Sequence, residues 1–200
     1  IDSNTISGGY FGIFLTSSYT VTSIPYYFFI TNNTIENAFY YGIGAANAPC
    51  YLIEGNYVKM RTGNANSYGF YHCNGSNSGN RIYNVSSNIW ENCGYAAIQW
   101  QTNNPSTNTS IPHIVSNNWV KPTFTSTNPI GIYLNFTRNT KVYNNTVLMN
   151  QPNGTAISMG AQSNYQNNHI KNNIMMLLAN NSTGLCFDAA AGSSDSLDYN

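Results

Sequence analysis

Few side chains in this 200-residue chain have the means to do chemistry, so each can be weighed in turn. Two glutamates, Glu36 and Glu91, could serve as the acid and base of an inverting glycoside hydrolysis, which needs two carboxylates with room for a water. Lys59 and Lys121 alternate with them in sequence, and a cation beside a carboxylate holds it ionised, whereas a general acid needs its pKa raised. Asp188, Asp195 and Asp198 offer the hard oxygen ligands that calcium takes, but in a Ser/Gly-rich stretch they read as turn formers. No two of His72, His113 and His169 stand at metal-ligand spacing. Cys50, Cys73, Cys93 and Cys186 match neither a zinc site nor a CxxC redox pair. There is no Ser/His/Asp constellation, phosphate loop or nucleotide motif. The expectation is no catalytic set, no resident metal and no cofactor, calcium being possible without support.

Composition narrows the partners. Seven basic and seven acidic residues balance to zero, and only 7% of the chain is charged. That leaves no basic footprint for nucleic acid or for an anionic membrane surface. A content of 42% hydrophobic and 14% aromatic residues supplies ample apolar surface to fold around. The longest apolar cluster, "IPYYFFI" at Ile24, is far short of the ~18 residues of a membrane span, so no membrane insertion is expected. No basic-then-apolar leader opens the sequence, which suggests a removed signal or an excised segment. Asn-x-Ser/Thr sequons such as Asn84-Val-Ser and Asn135-Phe-Thr are expected by chance in a chain this rich in Asn, Ser and Thr.

The elements that must position these residues announce themselves by repetition. One frame, an apolar residue, two variable ones, Asn, one variable and an apolar residue, opens the chain as "IDSNTI". It returns as "ITNNTI", "IEGNYV", "VSSNIW", "VSNNWV", "VYNNTV" and "IKNNIM", and its first half closes the chain as "LDYN". The frame asparagines are Asn4, Asn33, Asn56, Asn88, Asn118, Asn145, Asn173 and Asn200, separated by 29, 23, 32, 30, 27, 28 and 27 residues. A period in the twenties with variable inserts means stacked solenoid coils. A second mark follows each asparagine, a small residue and then alternating apolar ones: "GIFL", "GIGA", "GFYH", "AIQW", "GIYL", "AISM" and "GLCF". A third short strand precedes each frame, ending in pairs such as Phe28/Ile30, Tyr51/Ile53, Tyr83/Val85 and His113/Val115. Alternation with period two and no helical period means strands throughout.

Three short strands per coil describe an all-β fold that resembles the right-handed parallel β-helix superfamily, whose best known members are pectate-lyase-like. The resemblance covers essentially all 200 residues and implies about seven coils with an asparagine ladder, Asn4, Asn33, Asn56, Asn88, Asn118, Asn145 and Asn173, at one internal corner. A side-chain amide has donors and an acceptor enough to bond copies ~4.8 Å above and below.

This register places Phe14, Gly44, Tyr71, Gln99, Tyr133, Ser158 and Cys186 outward on the strand that opens at the small residue. Outward beside the asparagine corner stand Thr5, Thr34, Tyr57, Ile89, Trp119, Thr146 and Ile174. In relatives that act on polysaccharides the groove lies over the first of these strands and the loops leading into it, here longest at "KMRTGNANSYG" and "KPTFTSTNPIG". Tyr71, Gln99 and Tyr133, with Lys59 and Arg61 nearby, make a candidate glycan-contact patch. The row just past each frame, Ser7, Glu36, Lys59, Glu91, Lys121, Leu148 and Met176, alternates in sign over four coils and reads as an ion ladder. "YGFYH" is similar to the active-site motif of alginate epimerases but lacks its acidic residue. Alternation places His72 inward with Ala45 and Trp100, and His113 inward beside Tyr83 and Thr140, leaving His169 exposed. The aspartates that pectate-lyase or polygalacturonase relatives need on central coils are absent.

The expected function is a secreted or cell-surface noncatalytic module for structural assembly or glycan contact, a single domain spanning 1–200. The alternative is a polysaccharide lyase or glycoside hydrolase acting over the same strand; ice binding by exposed threonines fails because Tyr57, Ile89 and Trp119 interrupt their row. Cys186 is expected to form no disulfide within the chain, since about three coil steps separate it from Cys93, and Cys50 with Cys73 is the one allowed pair. Ile1 and Leu197 occupy the same phase of the coil, so the expectation is a segment of a longer solenoid or a unit stacking end to end on like subunits.

Overall fold

Each frame turns one corner of a coil, and the coils stack in parallel. The computed structural model describes residues 1–16, 28–46, 50–73, 84–101, 112–121, 125–135, 137, 139–160, 166–178, 184–189 and 194–198. The described residues form three parallel sheets of seven strands each. The first sheet comprises Thr5–Ser7, Thr34–Ala38, Tyr57–Met60, Ile89–Glu91, Trp119–Val120, Thr146–Met149 and Ile174–Leu177. The second holds Phe11–Thr16, Tyr41–Ala46, Tyr68–Cys73, Ala96–Gln101, Ile130–Asn135, Thr155–Met159 and Leu185–Ala189. The third is made of Phe28–Thr31, Cys50–Glu54, Asn84–Ser86, His113–Ser116, Thr140–Tyr143, Gln166–Lys171 and Ser194–Asp198. In every sheet the strands neighbour one another in chain order, so each coil adds one strand to each sheet before the next begins. The end rungs are flanked on one side only, so about five turns are fully enclosed, fewer than the seven that the spacing suggests.

The interior is filled by alternate residues of all three sheets. Ile35, Val58, Trp90, Val120 and Val147 point in from the first, Ile43, Phe70, Ile98, Ile132 and Ile157 from the second, and Ile30, Ile53, Val85, Val115, Val142 and Ile170 from the third, all buried. Each such side chain stabilises the fold by roughly 1.5–3 kcal/mol through the apolar surface it removes from water. The small residue that marks the second sheet has a steric cause. A Cβ built on Gly131 would lie 2.3 Å from Val147 Cγ1 and 2.5 Å from the Ala156 carbonyl oxygen.

The asparagine ladder is present with the expected residues. Nδ2 of Asn4, Asn33, Asn56, Asn88, Asn118 and Asn145 each donates to the Oδ1 of the next ladder asparagine at 2.9–3.0 Å. The same Oδ1 accepts the main-chain N–H of the preceding coil's asparagine, as Asn56 N to Asn88 Oδ1 at 2.9 Å. Nδ2 also closes the corner on main-chain carbonyls, Asn88 to Ser86 and Ile53, each at 2.9 Å.

The position before each ladder asparagine, read from sequence as variable, is not free. Ser3, Asn32, Gly55, Ser87, Asn117, Asn144 and Asn172 all adopt positive φ, between 55° and 67°. Only Gly and short polar side chains that can bond locally visit that region readily, which explains the recurring Asn-Asn pairs.

Candidate aromatic face

The second sheet carries an outward row in which Phe14 pairs with Gly44, Gly44 with Tyr71, Tyr71 with Gln99, Gln99 with Tyr133, and Tyr133 with Ser158. The row ends differently from the sequence expectation. Ser158 pairs with Asp188, not Cys186, because Ile157 faces Phe187 and the last strand sits two residues out of the "GLCF" alignment. A shift of two preserves the faces, so the exposed Cys186 still points outward while Asp188 takes its rung. Facing outward is also not the same as exposure, since Gly44, Gln99 and Ser158 are buried under their neighbours.

Aromatic rings cover the first coils of this sheet. Tyr41 stacks on Phe11 with centroids 5.2 Å apart and planes at 11°, and on Tyr71 at 4.5 Å and 7°. Phe14 occupies the room left by Gly44, where a Cβ would come within 2.5 Å of its ring. Tyr10, Tyr40, Tyr68 and Tyr95 extend the array from the adjoining turn, Tyr10 to Tyr40 at 5.5 Å and Tyr68 to Tyr95 at 5.5 Å. Of these rings, sequence reasoning placed only Phe14 and Tyr71 on the outward row. The signal was available in the aromatic residues just before the small mark, "YFG", "YYG", "YG" and "YAA". Burial raises the phenol pKa of Tyr41, Tyr68 and Tyr133, and that of Tyr71 to about 12, so each phenol is a neutral hydroxyl at physiological pH.

The ladder breaks at coil four. Gln99 stands between Tyr71 and Tyr133 with 5% of its surface exposed. Its Nε2 donates to Gln101 Oε1 at 3.3 Å, while its own Oε1 has no hydrogen-bond partner among the described residues.

The two cations grouped with this patch from sequence stand off the row itself, Arg61 at the edge of the aromatic array, since Phe39 packs on Tyr10 with centroids 5.5 Å apart. Lys59 belongs to the first sheet, 3.7 Å from Glu91 Oε1, and Arg61 sits 6.0 Å over the Phe39 ring. The charged row centres on Glu91, whose Oε2 accepts from Lys121 Nζ at 3.0 Å and from the Tyr57 hydroxyl at 2.9 Å. Burial alone would raise the Glu91 pKa, but those two hydrogen bonds and the Lys121 and Lys59 charges outweigh it and hold the carboxyl below its usual range. Glu36, Lys59 and Glu91 follow one another in strand register and Lys121 stands just past Val120, so the row alternates in sign over four coils as expected, but among the described residues its ion pairs form only around Glu91, with Lys59 and Lys121. An anionic, doubly clamped Glu91 is a poor proton donor.

His72 is buried, paired in register with Ala45 and Trp100, and His113 pairs with Thr140. Their rings flank the Trp100 indole at 5.4 and 5.0 Å. Burial lowers both pKa values to about 4, with the His113 charge adding to the effect on His72. Tyr83, 122–124 of the long second loop and Phe136 of one sequon lie outside the described residues, as do the side chains of Cys50, Tyr51 and Asp195. His169 is partly exposed beside Asn167 Oδ1. Asp188 and Asp198 are on different sheets, and Asp198 pairs with Lys171 at 3.4 Å. Among the described residues no three His, Cys, Asp or Glu side chains group closely enough to hold a metal ion. Cys73, Cys93 and Cys186 are free thiols.

No protein-family model matches the chain, and no curated protein or solved structure is significantly similar to it.

Proposed function

We propose that this chain is a noncatalytic β-solenoid module of a secreted or cell-surface protein, which contacts a glycan across the aromatic face of its second sheet. Kinship with the pectate-lyase-like β-helices is part of the same proposal and rests on the three-sheet coil and the asparagine corner. The observation that carries the function is the outward row of Tyr71, Gln99 and Tyr133, aromatic and amide groups without an ionisable acid beside them until Asp188 at the last rung. Aromatic rings with hydroxyl and amide groups are the usual means of holding a sugar, and cleavage would need a proton donor or a strong base in addition. Of the first sheet's two glutamates, Glu91 is committed to Lys121, Lys59 and Tyr57, and Glu36 is separated from it by the Lys59 rung. The test is a glycan array run beside lyase and hydrolase assays on uronate and neutral polymers. Binding without turnover supports the proposal. Turnover abolished by Glu91→Gln in a folded variant would put the lyase or hydrolase reading in its place.

A further inference from the structure

We infer that the glycan held on the second sheet is uncharged and lies along the solenoid axis across Tyr71, Gln99 and Tyr133; this rests on the glycan-contact reading above. The first ground is electrostatic. The strands of the second sheet contain no Lys, Arg or Glu, their single histidine is buried, and their single aspartate, Asp188, closes the last rung. A polyuronate brings a carboxylate on every sugar, and removing those charges from water without a cation opposite costs several kcal/mol each. Among the described residues the nearest lysines, Lys59 and Lys121, are paired with Glu91, and Arg61 lies over the Phe39 ring off the Tyr71–Gln99–Tyr133 row. A neutral sugar carries no such penalty.

The second ground is the break in the aromatic ladder. Phe11 and Tyr71 stack on Tyr41 at 5.2 and 4.5 Å, so the coils before the break spend their ring faces on one another. Beyond Tyr71 the next rung offers an amide, not a ring. That amide is 95% buried, and its Oε1 accepts no hydrogen bond from the described residues. A buried acceptor left unmade costs about 1–3 kcal/mol, so a ligand that displaces the side chains covering Gln99 and brings a neutral donor gains that contact. A sugar hydroxyl is such a donor; uronates carry hydroxyls too, so this contact points to a sugar and the electrostatic ground decides its charge. On the far side of the break the room left by Gly160 holds Asn135 Oδ1, 2.5 Å from where a Cβ would stand, with the Tyr133 hydroxyl 3.3 Å from the same point. The rungs repeat every ~4.8 Å along the axis, so a polymer laid across the strands meets equivalent positions in turn.

The experiment is calorimetric titration of the purified chain with hexamers of β-linked glucose, xylose and mannose, and with hexagalacturonate, at low salt. One neutral hexamer should bind. Gln99→Met and Tyr133→Phe should each weaken it by roughly three- to tenfold, the effect of losing one hydrogen bond, with melting temperature retained. Lys141→Ala, on the exposed face of the third sheet, should change nothing. If Gln99→Met does not fold, Tyr133→Phe, which keeps its ring, decides the matter alone. Hexagalacturonate binding more tightly than every neutral hexamer, and weakening in the same two variants, would overturn the neutral class while leaving the glycan site standing. Silence with all four probes would overturn the glycan reading itself and this inference with it. Concentration-dependent dimerisation lost in Tyr133→Glu would assign the face to a second copy of the chain and overturn both.

Discussion

At the residue scale, the asparagines divide into two kinds that the sequence writes with the same letter. Asn118 is a ladder amide, donating to Asn145 Oδ1 and to the Val85 and Ser116 carbonyls. Its neighbour Asn117 is there for its backbone, at φ 55°. The two should answer differently to substitution. Asn117→Gly should be close to neutral, whereas Asn117→Val, a β-branched side chain forced into the left-handed region, should cost about 1–2 kcal/mol. Urea denaturation of both variants checks this, and an equal loss in each would show that the Asn117 side chain, not its backbone, matters. For the ladder, Asn88→Ala strips donors from the Ser86 and Ile53 carbonyls and an acceptor from the Asn56 amide and main chain. Buried groups left unpaired cost about 1–3 kcal/mol each, so the loss should be on the order of 3 kcal/mol or more. Asn88→Asp should be no better, since an aspartate keeps the acceptor, loses both donors and buries a charge. A drop under about 1 kcal/mol in either would mean that the corner is held by its main chain alone.

At the element scale, the second sheet is shaped by what it must leave out. Its small residues admit the first-sheet side chains that press on them, Val147 against Gly131 and Val58 against Gly42. Ala97 and Ala156 at equivalent rungs show that one methyl can be accommodated. Gly131→Val goes further, forcing two methyls toward Val147 and the Ala156 carbonyl, and should destabilise by about 1–3 kcal/mol as overpacking does. Thermal melts beside Gly131→Ala give the comparison, and a valine variant as stable as the alanine one would refute the steric account. This packing rule was legible in the sequence, because alternation fixes faces and a frame repeated in seven coils fixes register. The last strand escaped it. "GLCF" matches the second mark letter for letter, yet Phe187 faces Ile157, which puts a large apolar ring inward where the letter match would put Leu185. Nor could alternation tell a covered outward residue from an exposed one. Gln99 is buried although it points outward, with Tyr71 and Tyr133 on the rungs either side, a relation between coils that no single coil's pattern carries.

At the scale of the whole molecule, a solenoid has no single centre, so its weak point is wherever the interior departs from plain hydrocarbon. Here that is the middle of the stack, where Trp100 lies between His72 and His113. The inward direction of both histidines followed from period two, but their meeting around one indole did not, since they come from different sheets and coils. Both imidazoles are held neutral, with pKa values of about 4 in the folded chain against ~6.5 unfolded. Between those values the unfolded chain binds more protons than the folded one, so stability is complete above pH ~6.5 and falls as the pH drops toward 4. Two groups titrating together give a slope of about 2.7 kcal/mol per pH unit in the middle of that window. Glu91 acts lower down, because its pKa is depressed and its contribution is lost only as the pH falls through that lowered value. The two effects are therefore separable. Denaturant unfolding of the chain from pH 7.5 to 4.5 should show stability falling with the slope of about two protons, and His113→Leu should bring it to about one. A profile flat across that range in the unsubstituted chain would mean that the interior around Trp100 admits water or charge and that the stack is open at its middle.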